Sequence, residues 1–275
     1  METRVWLGTA GWSYLPDWAG SFYPPGTSQG DTLHRYAEAF PFVEIDSTFY
    51  AAPAPQVIER WARILPERFR VSCKAPRELV QDTGLNPPEV PFEHFHRTLS
   101  ETLGLRLCNI VVQMQPSFAR TPQNDLALRM FLNRWAEDVP LAIEFRSNSW
   151  NHESVQDLLR RYDVTRVSND IHDVPDLERH NYDTSQRCAY IRLIGRHDGI
   201  PKDEIQRPQT EALSWWADQI DALSHRDVRS IFVVVNNHYE GHAPQTLRTL
   251  GAVLQERGMN VVPFNGFPDG QVQLF

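Results

Sequence analysis

Polar residues stand two positions apart within several apolar runs of this 275-residue chain, among them Glu44 with Asp46, Ser72 with Lys74, and Glu144 with Arg146. In an extended strand, positions i and i+2 share one face, so each pair presents its polar groups to the same side. Gln113, Asp170, Arg192 and Asn236 lie at or near the ends of other apolar runs. The set Glu44, Asp46, Lys74, Gln113, Glu144, Arg146, Asp170, Arg192 and Asn236 is the candidate site. Lys74, Arg146 and Arg192 suit phosphate or carboxylate oxygens, arginine in bidentate fashion. Glu44 and Glu144 are the expected catalytic pair, because two carboxyls in different environments acquire split pKa values and serve as acid and base. The other members are expected to bind substrate.

The elements that must position these residues are eight apolar runs, read as strands over 5–8, 42–46, 69–74, 110–115, 141–146, 164–170, 190–194 and 230–236. Helical spacing separates most of them. Pro55 starts a helix at its first turn, followed by Val57, Ile58, Trp61 and Leu65, with Glu59 and Arg63 as an i,i+4 pair. Leu128, Phe131, Leu132 and Trp135 form a second stripe. Asn151 reads as the N-cap of a third, which buries Val155, Leu158 and Leu159. Leu213, Trp216, Ile220 and Leu223, then Leu247, Leu250 and Leu254, complete the series. The stretch 171–187 carries little helical signal. Strands alternating with helices imply parallel strands and crossover connections. The fold class is therefore α/β, a single (β/α)8 barrel of the TIM type spanning residues 1–275 as one domain. An open doubly wound sheet is the alternative, but no Gly-x-Gly-x-x-Gly turn follows the first run.

Parity then divides the second to fifth, seventh and eighth strands. Leu141, Ile143 and Phe145 share one face, while Ala142, Glu144 and Arg146 share the other. The apolar face packs on the helices, so the polar set points to the barrel axis near the C-terminal strand ends, where barrel enzymes place their active sites. The same division puts Cys73 toward the helices and Lys74 toward the axis. A purely structural ion-pair network competes with this reading, but buried pairs are inefficient stabilisers. Trp12 and Tyr50, in loops at the same end, are expected to reach the substrate. Trp18, Phe22, Tyr23 and Trp150 share those loops, where aromatic residues more often pack the loop down.

Composition narrows the function classes. A net charge of −8 argues against a broadly basic nucleic-acid binder. The longest unbroken aliphatic and aromatic stretch, 231–235, is far below the ~20 residues of a membrane helix, and no signal peptide is visible. Cys73, Cys108 and Cys188 have no CxxC spacing and read as free thiols, which places the protein in the cytoplasm. No serine elbow, Walker loop or dinucleotide fingerprint is present. No cofactor is expected, with a divalent metal as the alternative.

Several motifs taken together resemble the YecE-like family, a domain of unknown function catalogued under number 72. They are Gly8-Thr9-Ala10-Gly11-Trp12-Ser13-Tyr14, Trp18-Ala19-Gly20-Ser21-Phe22-Tyr23-Pro24, Val43-Glu44-Ile45-Asp46-Ser47-Thr48-Phe49-Tyr50, Glu144-Phe145-Arg146 with Ser149-Trp150, Asn236-Asn237 and the ending Gln273-Leu274-Phe275. The resemblance spans essentially the whole chain and implies a TIM-type barrel without an established activity. It also marks departures. The family usually carries Asn where Asp46 stands, a Thr-His pair after Lys74 is replaced by Arg77-Glu78-Leu79-Val80-Gln81, and Arg-x-His-Gly becomes Arg192-Leu193-Ile194-Gly195.

Three functions follow. The first is an enzyme of hydrolase or lyase type acting on a small anionic or polyhydroxylated molecule; glycoside hydrolysis is one form, with carboxyls roughly 5–9.5 Å apart. The second is a metal-dependent phosphodiesterase or endonuclease acting on nucleic acid, with Glu44, Asp46, Glu144, Asp170 and His238 as ligands. The third is a non-catalytic ligand-binding protein using the same pocket.

Overall fold

The computed structural model describes residues 2–135, 139–180, 182, 184, 185 and 187–267. The ending Gln273-Leu274-Phe275 lies outside the described residues. Strands β1 (Arg4–Ala10), β2 (Phe42–Ile45), β3 (Arg70–Lys74), β4 (Leu107–Gln113), β5 (Leu141–Glu144), β6 (Thr165–Ile171), β7 (Cys188–Gly195) and β8 (Ser230–Val235) pair in parallel and in sequence order. The ladder between β8 and β1 closes the barrel. Helices α1 (Leu15–Trp18) and α2 (Thr32–Ala39) follow β1, α3 (Pro55–Ile64) follows β2, and α4 (Arg77–Val80) and α5 (Glu89–Leu103) follow β3. Then α6 (Pro122–Arg134), α7 (Glu153–Arg161), α8 (Thr210–Ser224) and α9 (Ala243–Glu256) follow β4, β5, β7 and β8. Between β6 and β7 no helix occurs among the described residues, in line with the weak periodicity there. The fold is a (β/α)8 barrel.

Local chemistry sets several helix starts. Pro55 opens α3, and Ile58 and Trp61 are its buried side. The Thr121 side chain accepts from the Asn124 amide to cap α6. At α7 the expected cap is displaced by one residue. His152, not Asn151, is the N-cap, and its ring accepts from the Ser154 amide. Asn151 is otherwise engaged, because its side-chain oxygen accepts from Arg166 and from the Tyr182 hydroxyl. Four helices, α1, α2, α4 and α5, arise where no helix was read. In α5, Pro88 is the cap and Pro91 lies in the first turn, where a missing N–H costs nothing.

Alternation holds along the strands. Val43, Ile45, Cys73, Ile143, Leu193 and Val235 pack outward into the helix layer. Trp6, Phe42, Val111, Ala142, Tyr190 and Phe232 fill the barrel interior. Phe42 is central, with its ring 4.9 Å from Phe232 and 6.2 Å, edge-on, from Tyr190. Gly8 makes room for it: a Cβ there would lie 2.2 Å from the Phe42 carbonyl oxygen and 2.8 Å from its ring. This apolar plug is the floor on which the polar residues rest.

The long loop after β1 is packed down. Trp18, Phe22 and Tyr23 are fully buried against one another, and Trp18 Nε1 donates to Asn237 Oδ1 at 3.2 Å. Trp150 is sandwiched between Phe145 and Phe118. These four aromatic residues are structural. Because Gly8 leaves no space for a methyl group, Gly8→Ala is expected to cost about 1–3 kcal/mol by overpacking. Urea denaturation would measure it, and an unchanged midpoint would show that Phe42 yields freely.

Candidate functional site

One buried guanidinium organises the polar layer above that floor. Arg192, on the inward face of β7, is 2% exposed and spans two fully buried carboxylates. Its Nη2 donates to Glu44 Oε1 at 2.7 Å, and its Nη1 donates to Glu144 Oε2 and, at 3.2 Å, to Gln113 Oε1. Glu44 also accepts from the Tyr190 hydroxyl at 3.0 Å, and Tyr190 is hydrogen-bonded in turn to Ser72. The other Glu144 oxygen accepts from Arg146 Nε at 2.5 Å. The continuous chain is Ser72, Tyr190, Glu44, Arg192, Glu144 and Arg146.

The electrostatics follow from this chain. Burial alone would raise the Glu144 pKa, but Arg146 and Arg192 outweigh it and hold the carboxyl at about 2. Burial would lower the Arg192 pKa, and Glu144 and Glu44 instead push it further up. Glu144 is therefore a fixed anion and Arg192 a fixed cation. Both charges are engaged by partners, and each shift carries its group away from the neutral range.

Lys74 differs from every other cation in the layer. It ends β3, is 8% exposed, and has no hydrogen-bond or ion-pair partner for its ammonium among the described residues. The Phe49 ring lies 4.2 Å from Nζ. Burial, seconded by the neighbouring Arg192, lowers its pKa to about 8 against the opposing pull of Glu44, Glu144 and Asp46. Asp46, half-buried, is shifted the other way. Burial and then Glu44 raise its pKa, while Lys74 and Arg192 oppose. A half-buried carboxyl and a desolvated amine, shifted toward each other, are suited to proton transfer.

The structure thus brings together Glu44, Asp46, Lys74, Gln113, Glu144, Arg146 and Arg192. Asp170 is not with them. It is 2% exposed and accepts from Trp216 Nε1 at 3.1 Å, from the Tyr239 hydroxyl at 2.9 Å and from His172 at 3.0 Å. Its carboxylate ties β6 to α8 and to the loop after β8, outside the barrel axis. Asn169, its neighbour, is buried and donates to the Phe145 carbonyl. Asn236 turns its Oδ1 to the His238 amide at 3.0 Å and shapes the turn after β8. Trp12, half-buried, meets Trp61 edge-on at 6.2 Å, and Tyr50 is 84% exposed beside Phe49. Tyr190, Ser72 and Phe49 were not among the candidate site residues, although Ser72 was noted as sharing a strand face with Lys74. Strand parity already placed the first two on the inward face, and Phe49 had no such signal.

Among the described residues no group of three or more His, Cys, Asp and Glu converges as a metal cage. The ligands expected for the metal-dependent reading are divided, with Asp170 facing the helix layer and Glu44 and Glu144 bound to arginines. Cys73, Cys108 and Cys188 are free thiols, and burial pushes the Cys73 pKa up, so it stays protonated. Two cavities, of about 410 and 740 Å³, open at the opposite, N-terminal end of the barrel around Arg4 and Asn260. Neither contains a member of the charged chain. No helix among the described residues is long and apolar enough to cross a membrane.

Fold and site together define a (β/α)8 barrel with a buried ion-pair layer and an unpartnered lysine at its C-terminal mouth. The family model "Protein of unknown function DUF72" matches residues 6–271, and the chain belongs to that family. The UPF0759 protein YunF of Bacillus subtilis is 25% identical over 98% of this chain and all of that protein. A DUF72 family crystal structure from Thermotoga maritima superposes with a TM-score of 0.79 at 26% identity, covering 92% of this chain and 99% of that one. A second, from Enterococcus faecalis, gives 0.71 at 21% identity over 93% and 98%, and shares the fold.

Removing Arg192 leaves buried Glu44 without a cation and Glu144 with Arg146 alone, so Arg192→Met should destabilise by about 3–5 kcal/mol. The folded pKa of Glu144 lies below its ordinary 4.5. Its contribution to stability is present above about pH 4.5 and lost as pH falls toward about 2. Urea unfolding at a series of pH values should show this acid-side loss in the parent and not in Glu144→Gln; identical slopes would contradict the assignment.

Proposed function

We propose that this protein is an enzyme of hydrolase or lyase type that binds a small anionic or polyhydroxylated molecule at the C-terminal barrel mouth. The observation that carries the reading is Lys74, a lysine only 8% exposed whose ammonium has no hydrogen-bond or ion-pair partner among the described residues, in a layer whose other cations are paired. Leaving one cation unpaired and desolvated costs stability, and an incoming phosphate or carboxylate offsets that cost. Arg146 can share the anion, since only its Nε is spent on Glu144 and its terminal nitrogens have no partner among the described residues. The reading redistributes the roles expected of the glutamates. Glu44 and Glu144 act as positioning residues for Arg192, while Asp46 and Lys74 hold and move protons.

A glycosidase is the less favoured form of this enzyme. Its two carboxyls must flank the scissile bond with substrate between them. Here a guanidinium occupies the space between Glu44 and Glu144.

The charges facing Lys74 are Glu44 and Asp46 from β2 and the segment after it, Glu144 from β5 and Arg192 from β7. Lys74 is cationic below about pH 8, so anion binding should be strong at pH 7 and weaken as pH rises through about 8. Thermal denaturation with inorganic phosphate, sugar phosphates and sugar acids tests this. A ligand present at a hundredfold excess over its Kd should raise Tm by roughly 5 °C. The shift should shrink at pH 9.5 and vanish in Lys74→Met; a shift unchanged in that variant would sink the reading. Asp46→Asn separates enzyme from binding protein, because the enzyme loses turnover of the stabilising ligand and retains its thermal shift.

A further inference from the structure

Of the 27 lysines and arginines in the chain, only Lys74 and Lys202 are lysines. Where the barrel needs a permanent charge it uses arginine, as at Arg146 and Arg192. Lysine differs from arginine in that it can lose its proton and become a nucleophile. Lys74 is placed for that use. It stands at the C-terminal end of a barrel strand, desolvated, against the Phe49 ring and beside the fixed cation Arg192. Desolvation and an adjacent cation are the two devices that activate amines for attack on carbonyl carbon.

We propose that Lys74 forms an imine with the carbonyl carbon of a small aldehyde or ketone that also carries a phosphate or carboxylate. The proposal rests on the reading of the mouth as a small-anion site and selects its lyase branch. Arg146 holds the substrate's anionic group through its free terminal nitrogens. Asp46 takes one proton from the ammonium, and the Nζ lone pair then adds to the carbonyl carbon. The C–N bond forms as the carbonyl π pair moves to oxygen, which is protonated by transfer from the nitrogen. The resulting carbinolamine re-forms a nitrogen–carbon double bond as its C–O bond breaks. Asp46 returns its proton to the departing hydroxyl, which leaves as water. The sum is ammonium plus carbonyl giving iminium plus water, with no change of oxidation state. The iminium then draws electron density from the adjacent carbon, as a lyase requires.

A pKa near 8 makes the neutral amine at pH 7 on the order of a hundredfold more abundant than for an ordinary lysine. Burial and Glu44 raise the Asp46 pKa, the direction that makes its carboxylate a better proton acceptor. Geometry and titration therefore agree.

The test is reductive trapping of the full-length protein at pH 7 with sodium cyanoborohydride. Pyruvate, glyoxylate and glyceraldehyde 3-phosphate serve as separate probes, followed by intact mass and peptide mapping. The expected product is one adduct per chain at Lys74, of the probe's mass less one oxygen atom. It should persist in Lys202→Arg and be absent in Lys74→Arg. No adduct at Lys74 with any probe, or labelling of Lys74 no faster than of Lys202, would overturn the proposal. The phosphate-induced thermal shift of Lys74→Arg, which restores a fixed cation, then separates the two claims. If the shift survives while trapping fails, the imine falls and the anion site stands. If both fail, the functional reading falls with it.

Discussion

The bridging of Glu44 and Glu144 by the single guanidinium of Arg192 is the interaction on which the mouth of this barrel depends. Two carboxylates in a closed barrel interior cannot both stay ionised without a cation between them. Several kcal/mol per ion is the cost of bringing these groups out of water. An apolar layer would hold the strands together at least as well, as the aromatic plug of Phe42, Tyr190 and Phe232 does just below. The ion-pair layer is therefore best understood as a rigid platform. It fixes where charge stands, and it engages Glu44 and Glu144 with arginines so that neither pairs with Lys74.

That division of labour explains the asymmetry among the four principal charges. Glu144 and Arg192 are shifted away from the neutral range by each other, so neither changes state near pH 7. Lys74 and Asp46 are shifted toward it, because burial acts on them without a full compensating partner. A static pair supporting a titrating pair is a common way to run proton chemistry in a dry site. Family membership adds the fold and the order of motifs. The resemblance also marks where this chain departs: Ile194, buried, stands where the family commonly carries a histidine, so the proposed proton transfer rests on Lys74 and Asp46.

Much of this was legible in the sequence because strand periodicity is the strongest local signal in a parallel barrel. Parity on β2, β3, β4, β5 and β7 correctly separated Glu44, Lys74, Gln113, Glu144 and Arg192 from their outward neighbours. Asp170 was taken from its place at a strand end, without that division. Val167 on β6 fills the barrel interior, so Asn169 shares the inward face and Asp170 turns to the helix layer. Helices α2 and α5 were illegible because prolines and short polar stretches read as breaks, although proline is tolerated in a first turn. The role of Asn151 was hidden by a competitor far along the chain, Arg166, whose guanidinium it accepts from. Pairings across the barrel, such as Tyr190 with Glu44, lie 146 positions apart and leave no local trace.

The central claim is that the Arg192 bridge leaves Lys74 a desolvated amine that titrates near neutrality. Carbon-13 NMR of protein labelled at lysine Cε tests it directly, since the chain has only Lys74 and Lys202 to observe and Lys202→Arg assigns the two signals. The account predicts a Lys74 midpoint at about 8. A midpoint at the ordinary 10.5 would contradict it.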